Sequence, residues 1–474
     1  MAPAPREWPT RMNATDALFW ALDVVPELRS TTGGLMILER APAPERLRAD
    51  FLRLVAGVPR LRQRVVETPL GLAPPEWFDD ADFDLDYHLR TIAAPPPGGM
   101  ADLLAELGPL FATPLDRERP LWEAYYADGL SGGRAAVFFK LHHCVIDGVG
   151  GTEVLTTILG ERRESEVVPT LPQATERSMA PAARFARAVA HNAADTLAMS
   201  ATVARAIVET GRHPLDAVLG VAAGARRAIG FGRDLAMQRA ESPLHHRRSL
   251  SRRLSTFDMP LTAIDAVRAQ VDATNNDVIL TIVSGALHRW HTSRGADVKE
   301  LSVLVPVNLR TTSDAAGGNR VALLAVSLPI GEPHPLRRLR SIQQRMGRVK
   351  SDRRATLYPV AARIIRGLPA PLAALLMRQQ TSRTNLVCTN VPGPRQTCFL
   401  AGQAIERVYA YAPLVGDHPI AIALYSYRDL VHVGLDVDPL AMGDLEHFRD
   451  ALAESYAEVV DVARDAIVPL RQPA

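Results

Sequence analysis

The chain has 474 residues, of which 47% are hydrophobic, so it is long enough for two domains with sizeable cores. Its formal net charge of +2, without aromatic residues interleaved among basic ones, argues against a nucleic-acid partner. The odd, sparse set of three cysteines argues against a disulfide framework and indicates a reducing compartment. No apolar run is long enough to predict a membrane-spanning helix, and residues 1–10 do not have the pattern of a signal peptide.

Residues 1–165 are predicted to form a mixed α and β domain. Apolar residues at helical spacing predict helices at 16–21, 43–56, 100–111 and 151–160. Apolar runs predict strands at 35–38 and 135–139. The helix at 151–160 would begin just after a loop with two histidines, so its N-terminal dipole would lie near that loop.

Residues 166–250 are predicted to be a basic helical linker. Between positions 176 and 253 there are 13 arginines, no lysine and 6 acidic residues, with broken apolar stripes between the arginines. Two interpretations stay open: a helical segment packed across two domains, or a basic amphipathic surface that meets anionic lipid. The apolar stretch 364–377, with arginines around it, is a second candidate for a lipid-facing surface.

Residues 251–474 are predicted to form a second mixed domain. An amphipathic helix is predicted at 277–291, with Asn276 near its start, and a closing helix at 445–462. Strands are predicted at 301–307, 321–328, 386–389, 420–425 and 430–435.

The most informative segment begins with His142 and His143, which follow the predicted strand at 135–139, and continues to Asp147 and Gly148. An imidazole at a strand end can take a proton from an alcohol or amine, because its unperturbed pKa lies near neutrality. Successive side chains of a strand point to opposite faces, so only one of the two histidines is expected to face a substrate channel. No metal site is predicted, since zinc would need further ligands at suitable spacing. Cys144 is a weaker candidate for a nucleophile, because no orienting group is evident beside it.

This HHxxxDG segment resembles the active-site motif of the CoA-dependent acyltransferase superfamily. The flanking segments resemble the bacterial wax ester synthase/acyl-CoA:diacylglycerol acyltransferase family, and the resemblance extends from about residue 13 to about residue 459. The segments that carry it are Asp16–Phe19 (DALF), Asp116–Glu123 (DRERPLWE), Thr274–Leu280 (TNNDVIL), Val305–Arg310 (VPVNLR) and Asn390–Pro394 (NVPGP). The chain departs from the family pattern at His245, His246, Asn308 and Thr389, which bears on the preference for the acceptor.

The resemblance implies a fold of mixed α/β type, with two chloramphenicol-acetyltransferase-like domains and the active-site channel between them. It implies an O-acyltransferase that moves a long-chain acyl group from acyl-CoA, a substrate and not a cofactor, to a lipid alcohol. Diacylglycerol or a fatty alcohol would be the acceptor, and triacylglycerol or a wax ester the product. An acceptor of a more specialised kind stays open, as does a condensation-type or degenerate binding protein that uses carrier-bound acyl groups.

The same resemblance assigns roles to residues. His143 is the expected general base, Asp147 is expected to hold the loop through an ion pair, and His142 and Gly148 are expected to support them. Candidates for supporting the site or for stabilising the oxyanion are Asn276, Asp277, Thr389 and Asn390, with helix capping by Asn276 and a turn at Asn390 as the structural alternatives. Candidates for shaping the core or a tunnel wall are Pro120, Leu121 and Trp122.

Since such substrates are insoluble, we expect a cytoplasmic protein that associates peripherally with the inner face of the membrane or with lipid droplets.

Overall fold

A computed structural model describes residues 8–145, 182–194, 242–308, 321–351 and 370–465, and the single positions 171, 365 and 368. Several sequence predictions lie outside these residues. They concern Asp147, Gly148, the helix at 151–160 and most of the linker at 166–250.

The first half contains four helices and six strands within the described residues. The helices are α1 (Ala14–Leu22), α2 (Pro44–Gly57), α3 (Leu85–His88) and α4 (Met100–Ala112). The strands are β1 (Thr31–Leu38), β2 (Gln63–Val66), β3 (Glu76–Asp79), β4 (Leu89–Ala93), β5 (Trp122–Leu130) and β6 (Arg134–His142). The predicted helices at 16–21, 43–56 and 100–111 and the predicted strands at 35–38 and 135–139 are present.

Residues 182–194 are helical and are called α5. The helices of the second half are α6 (Leu261–Val271), α7 (Asn275–Thr292), α8 (Pro335–Ser351), α9 (Ala370–Thr381) and α10 (Leu445–Asp465). Its strands are β7 (Arg253–Pro260), β8 (Leu301–Asn308), β9 (Val321–Leu328), β10 (Leu386–Pro392), β11 (Phe399–Leu400), β12 (Gln403–Tyr411), β13 (Ile420–Tyr427) and β14 (Leu430–Val437). The predicted helices and strands are confirmed here too, with ends that differ by a few residues.

Two six-stranded mixed sheets form the frame of the described structure. The strand order is β11-β12-β1-β6-β5-β4 in the first sheet and β7-β14-β13-β10-β8-β9 in the second. Strand β1 pairs antiparallel with both β12 and β6, whereas β10 pairs parallel with both β13 and β8. This arrangement confirms the predicted α/β class with mixed sheets.

The first sheet takes two of its strands, β11 and β12, from the second half of the chain. In the register of β12 with β1, Gly34 lies opposite Ala410. The sequence analysis placed residues 399–411 in the second domain. Local periodicity could not reveal their place in the first sheet, since it identifies a strand but not the partner of that strand.

Two buried arginines near the end of the predicted linker join the halves. Arg248 donates from Nη1 to the carbonyl oxygen of Leu414 at 2.6 Å, and Arg252 donates from Nη1 to Asp436 Oδ2 at 2.9 Å. The Arg252 guanidinium also lies 4.1 Å from the ring centroid of Phe111. Burial raises the pKa of Asp436 to about 6, although both arginines act in the opposite direction. The side chains of these two arginines are therefore engaged within the protein, whereas Arg247 and Arg253 beside them are exposed.

The two sheets come closest where β14 passes β12. A Cβ atom at Gly434 would lie 1.9 Å from the carbonyl oxygen of Ala410, so only glycine fits at this position. The obstructing atom belongs to a backbone held in a sheet, which cannot move aside as a flexible side chain would. This contact sets the distance between the sheets.

We expect Gly434→Ala to lower the free energy of unfolding by about 1–3 kcal/mol, because the added methyl group overpacks the junction of the sheets. Gly34→Ala is the matched control, since it is another strand glycine and a Cβ there would meet no atom within 4 Å. Urea titration of both variants measures the effect. Equal stability of the two variants would contradict the proposed close contact.

Candidate active site

The two histidines lie at the end of β6 and in the turn that follows it, and hydrogen bonds from two neighbouring segments hold their backbone. The N–H of His142 donates to the carbonyl oxygen of Leu121 at 3.0 Å. The N–H of His143 donates to the carbonyl oxygen of Ser30, just before β1, at 2.8 Å. The N–H of Val145 then donates to the carbonyl oxygen of His142 at 3.0 Å and closes the turn. Both imidazoles therefore project from a backbone of fixed position.

His142 is buried and faces the protein interior. Its Nδ1 accepts the backbone N–H of Cys144 at 3.1 Å, so the ring hydrogen belongs on Nε2 when the imidazole is neutral. Nε2 lies 3.2 Å from Asp23 Oδ1, within ion-pairing distance, although it is not aligned for a regular hydrogen bond. These two contacts fix the orientation of the ring and occupy both of its nitrogens.

Asp23, just after α1, connects His142 to an arginine. Arg117 Nη1 lies 3.7 Å from Asp23 Oδ2, and its guanidinium lies 3.4 Å from the ring centroid of Trp20. Burial alone would raise the pKa of Asp23, but His142 and Arg117 together hold that pKa below its usual value. The carboxylate is therefore kept charged beside the first histidine.

His143 has different surroundings. Its side chain is half-buried, and its ring centroid lies 5.1 Å from that of Phe19 in α1, with the planes tilted by 50°. The two histidines thus occupy separate environments, because His142 ends β6 whereas His143 lies in the turn after it. His143 is partly exposed, whereas His142 is buried.

The environment of Cys144 argues against a nucleophilic cysteine. Its side chain is buried, and burial raises the pKa of the thiol well above its usual value. The thiolate is the nucleophilic form, so this thiol is unreactive near neutral pH. Asp147 and Gly148 lie outside the described residues, and their expected roles stay predictions.

The three residues predicted to shape the core or a tunnel wall are all buried. Trp122 in β5 donates from Nε1 to the carbonyl oxygen of Leu61 at 2.7 Å and stacks on His88 with ring centroids 4.6 Å apart. It has no exposed surface, so it belongs to the closed aromatic core. Leu121 supplies the carbonyl oxygen that holds His142, and Pro120 precedes it.

The capping alternative for Asn276 is wrong, because Thr274 caps α7. The Thr274 hydroxyl accepts the N–H of Asp277 at 3.2 Å, and Asp277 Oδ2 accepts the N–H of Thr274 at 2.9 Å. Asp277 therefore acts here as part of a reciprocal capping box. Asn276 lies in the first turn with its side chain half-buried, and its role as an oxyanion donor stays a prediction.

The turn alternative for Asn390 is also wrong, because Thr389 and Asn390 lie within β10 and pair with Ala423 and Leu424 of β13. Asn390 Oδ1 is shielded from solvent and has no hydrogen-bond partner among the described residues. Rotating the amide would present its Nδ2 donor at the same place, so this group can either accept or donate a hydrogen bond to a substrate.

The end of β10 reaches the core of the first half. Val391, next to Asn390, packs against the hydrophobic cluster that contains Cys144 and Val145. Beyond it, a Cβ at Gly393 would lie 2.4 Å from the carbonyl oxygen of Ser426, so the NVPGP segment needs glycine for close approach to β13. The second sheet thereby meets the core beneath the histidine turn.

Asp23 and Phe19 are site residues that the sequence analysis did not identify. Phe19 stands in the DALF segment, and Asp23 follows it by four residues, which is one helical turn. That spacing placed both residues at one end of α1. Only the packing of α1 against β6 showed that the two residues contact different histidines.

One of the departures from the family pattern has a structural partner. His245 Nε2 lies 2.7 Å from the side-chain nitrogen of Asn385, which is buried immediately before β10. The Asn385 Oδ1 atom also accepts the N–H of Ser302 at 2.9 Å. His245 is therefore part of the support for the start of β10.

Comparisons with known proteins identify the family. The sequence model of the wax ester synthase/diacylglycerol acyltransferase catalytic domain matches residues 12–279, and that of the family's C-terminal domain matches residues 317–459. A putative diacylglycerol O-acyltransferase of Mycobacterium tuberculosis is 30% identical over 460 residues, which cover 95% of this chain and 92% of that protein. A probable diacylglycerol O-acyltransferase of the same species is 29% identical, with 96% of each chain covered.

The wax ester synthase/diacylglycerol acyltransferase from Marinobacter aquaeolei VT8 has a similar structure, with a TM-score of 0.64 and 25% identity over 96% of this chain and all of that chain. The first condensation domain of the CDA synthetase shares the fold, with a TM-score of 0.62 at 16% identity over 98% of this chain and 97% of that chain.

The fold and the two family matches define an acyltransferase with mixed α/β sheets. The chain belongs to the wax ester synthase/diacylglycerol acyltransferase family. Its activity is therefore acylation of diacylglycerol or a fatty alcohol, which forms triacylglycerol or wax ester.

We expect Asp23→Asn to lower kcat about 100-fold with little change in KM for acyl-CoA, because it removes the charge that orients the histidine turn. Glu67→Gln is the matched control, since Glu67 contacts Arg117 at 3.3 Å and its side chain is largely exposed. Steady-state kinetics compare the two variants, and circular dichroism checks their folding. A folded Asp23→Asn variant with the kcat of the wild type would exclude a positioning role.

Proposed function

We propose that His143 is the general base for direct transfer of a long-chain acyl group from acyl-CoA to the acceptor hydroxyl. The observation that carries the proposal is that His143 is the half-exposed histidine of the pair, whereas the nitrogens of His142 are occupied by Asp23 and the Cys144 N–H. Members of this family acylate an alcohol, and the imidazole of His143 would deprotonate the hydroxyl of that alcohol.

The transfer balances without a covalent enzyme intermediate. The imidazole of His143 takes the hydroxyl proton as the acceptor oxygen attacks the thioester carbonyl. The tetrahedral intermediate then collapses, the C–S bond breaks, and the imidazolium returns the proton to the CoA thiolate. Acyl-CoA is consumed as a substrate, and no cofactor is required. General base catalysis of this kind contributes about 10²–10⁴-fold to the rate.

Other residues have supporting roles in this proposal. Asn390 is the favoured oxyanion donor among the candidates, because its Oδ1 is shielded from solvent without a hydrogen-bond partner among the described residues, and rotating the amide would place the Nδ2 donor there. Asp147 would hold the turn through an ion pair, and Gly148 would let the pantetheine of CoA pass close to the backbone.

The protein would work at the surface of a membrane or a lipid droplet, where its acceptor is found. None of the helices in the described part of the chain combines the length and apolar character needed to cross a bilayer. Helix α5 exposes Phe185 and Val189 one turn apart, within the basic segment at 176–253. An exposed apolar pair among arginines suits peripheral contact with anionic lipid.

We expect His143→Ala to lower the rate of thiol release from long-chain acyl-CoA in the presence of acceptor by about 10²–10⁴-fold, because the base is lost. His447→Ala is the matched control, since the imidazole of His447 in α10 makes a solvent-exposed hydrogen bond with the Ser293 hydroxyl, 2.9 Å from Nε2. Retention of near wild-type turnover by a folded His143→Ala variant would contradict the assignment of the base.

A panel of acceptors tested with one long-chain acyl-CoA checks the substrate class. We expect esters of diacylglycerol and fatty alcohols, identified by product mass, together with one equivalent of free thiol. If only a small, water-soluble alcohol is acylated, the acceptor is a specialised one. A requirement for carrier-bound acyl groups in place of acyl-CoA would refute the proposed donor.

A further inference from the structure

Helix α9 presents three leucines to solvent on one side. Leu372, Leu375 and Leu376 are 42%, 51% and 38% exposed. Their spacing of three and four residues places them on a single helix face. Clustered, exposed large apolar residues on one helix mark an interaction surface, whereas single scattered ones do not.

The opposite face of α9 is packed against the end of the molecule that carries the histidine turn. The residues of this buried cluster are Ala373, Ala374 and Met377 of α9, Leu18 and Leu22 of α1, and Leu28. Arg378 Nη2 also donates to Glu27 Oε2 at 2.9 Å. Helix α9 is therefore anchored to α1, and its leucine face points away from the core.

The stretch of sequence that contains α9 is basic. Between residues 353 and 383 there are six arginines and no lysine, aspartate or glutamate. Two of the six, Arg378 and Arg383, lie in and just after the described helix. Glu27 pairs with Arg378, but the net charge of this stretch remains positive. Exposed apolar residues in a basic stretch complement a lipid surface with anionic headgroups, which attracts each arginine near it.

The position of α9 connects this face to the catalytic centre. Helix α1 contacts α9 through Leu18 and Leu22, and contacts the ring of His143 through Phe19. The thickness of two helices, α9 and α1, each about 10 Å across, therefore separates the leucine face from the base. An acceptor held in a bilayer would have about 20 Å to travel from the lipid to His143.

We propose that the leucine face of α9 docks the enzyme on an anionic lipid surface and places the catalytic centre beside the lipid that supplies the acceptor. This inference rests on the proposed acylation of a lipid alcohol. Vesicle binding itself needs no catalysis, so the two proposals can fail separately.

The test compares Leu372→Gln/Leu375→Gln with the matched control Leu70→Gln/Leu440→Gln. The control leucines are 88% and 66% exposed, so the control removes at least as much exposed apolar surface away from α9. Flotation with phosphatidylglycerol/phosphatidylcholine vesicles measures binding at low and high salt. We expect the α9 variant to bind vesicles at least about tenfold more weakly than the wild type, because it loses exposed apolar surface. The control is expected to bind like the wild type. High salt is expected to weaken the binding of the wild type.

Activity gives a second measurement. The ratio of turnover with vesicle-borne diacylglycerol to turnover with a soluble short-chain alcohol is expected to fall in the α9 variant and to stay at the wild-type value in the control. Thermal unfolding of both variants checks that they are folded. A folded α9 variant that binds vesicles as the control does would overturn the proposal. So would a change in oligomeric state without loss of vesicle binding, which would make the face a contact between copies of the chain.

Discussion

The pairing of β1 with strands on both sides is the constraint on which the rest of the structure depends. On one side β1 pairs with β12, which the chain supplies from its second half, and on the other it pairs with β6, which ends in the catalytic segment. Ser30, immediately before β1, also holds the backbone of His143. The position of the base is therefore tied to the closure of the first sheet by a distant part of the chain.

The pairing of β12 with β1 depends on one close steric contact and on a set of buried ion pairs. Strand β12 must pass β14 at a distance that only Gly434 allows. The junction also buries Arg248, Arg252 and Asp436, whose charges are paired within it. A buried charge without a partner is strongly destabilising, so these pairs favour a single arrangement of the two halves.

The two adjacent histidines have different surroundings. His142 is fixed between Asp23 and the N–H of Cys144, which suits a structural role. His143 keeps a half-exposed ring against Phe19, which suits proton transfer to a bound alcohol. The same helix, α1, supplies Phe19 and leads into Asp23, and it carries α9 on its other side. The contacts of both histidines and of α9 therefore converge on one short helix.

The sequence by itself determined the family, the chemistry and most of the helices and strands. The HHxxxDG segment and its flanking motifs pointed to acyl transfer, and apolar periodicity located elements such as α4, α7 and β14, because both signals are carried by residues close together in the chain. The alternation of a strand also predicted that only one of His142 and His143 would be available to substrate.

Only the tertiary structure decided which residues meet. In the structure Asp23 contacts His142, and Thr274, not Asn276, caps α7. Strands β11 and β12 belong to the first sheet. The tertiary structure also showed that the side chains of Arg248 and Arg252, which look like part of a basic lipid-facing segment, are buried and paired with Asp438 and Asp436. These outcomes depend on contacts between residues far apart in the sequence. Burial, partner distance and charge pairing arise only when the sheets close, so no local pattern of residues contains them.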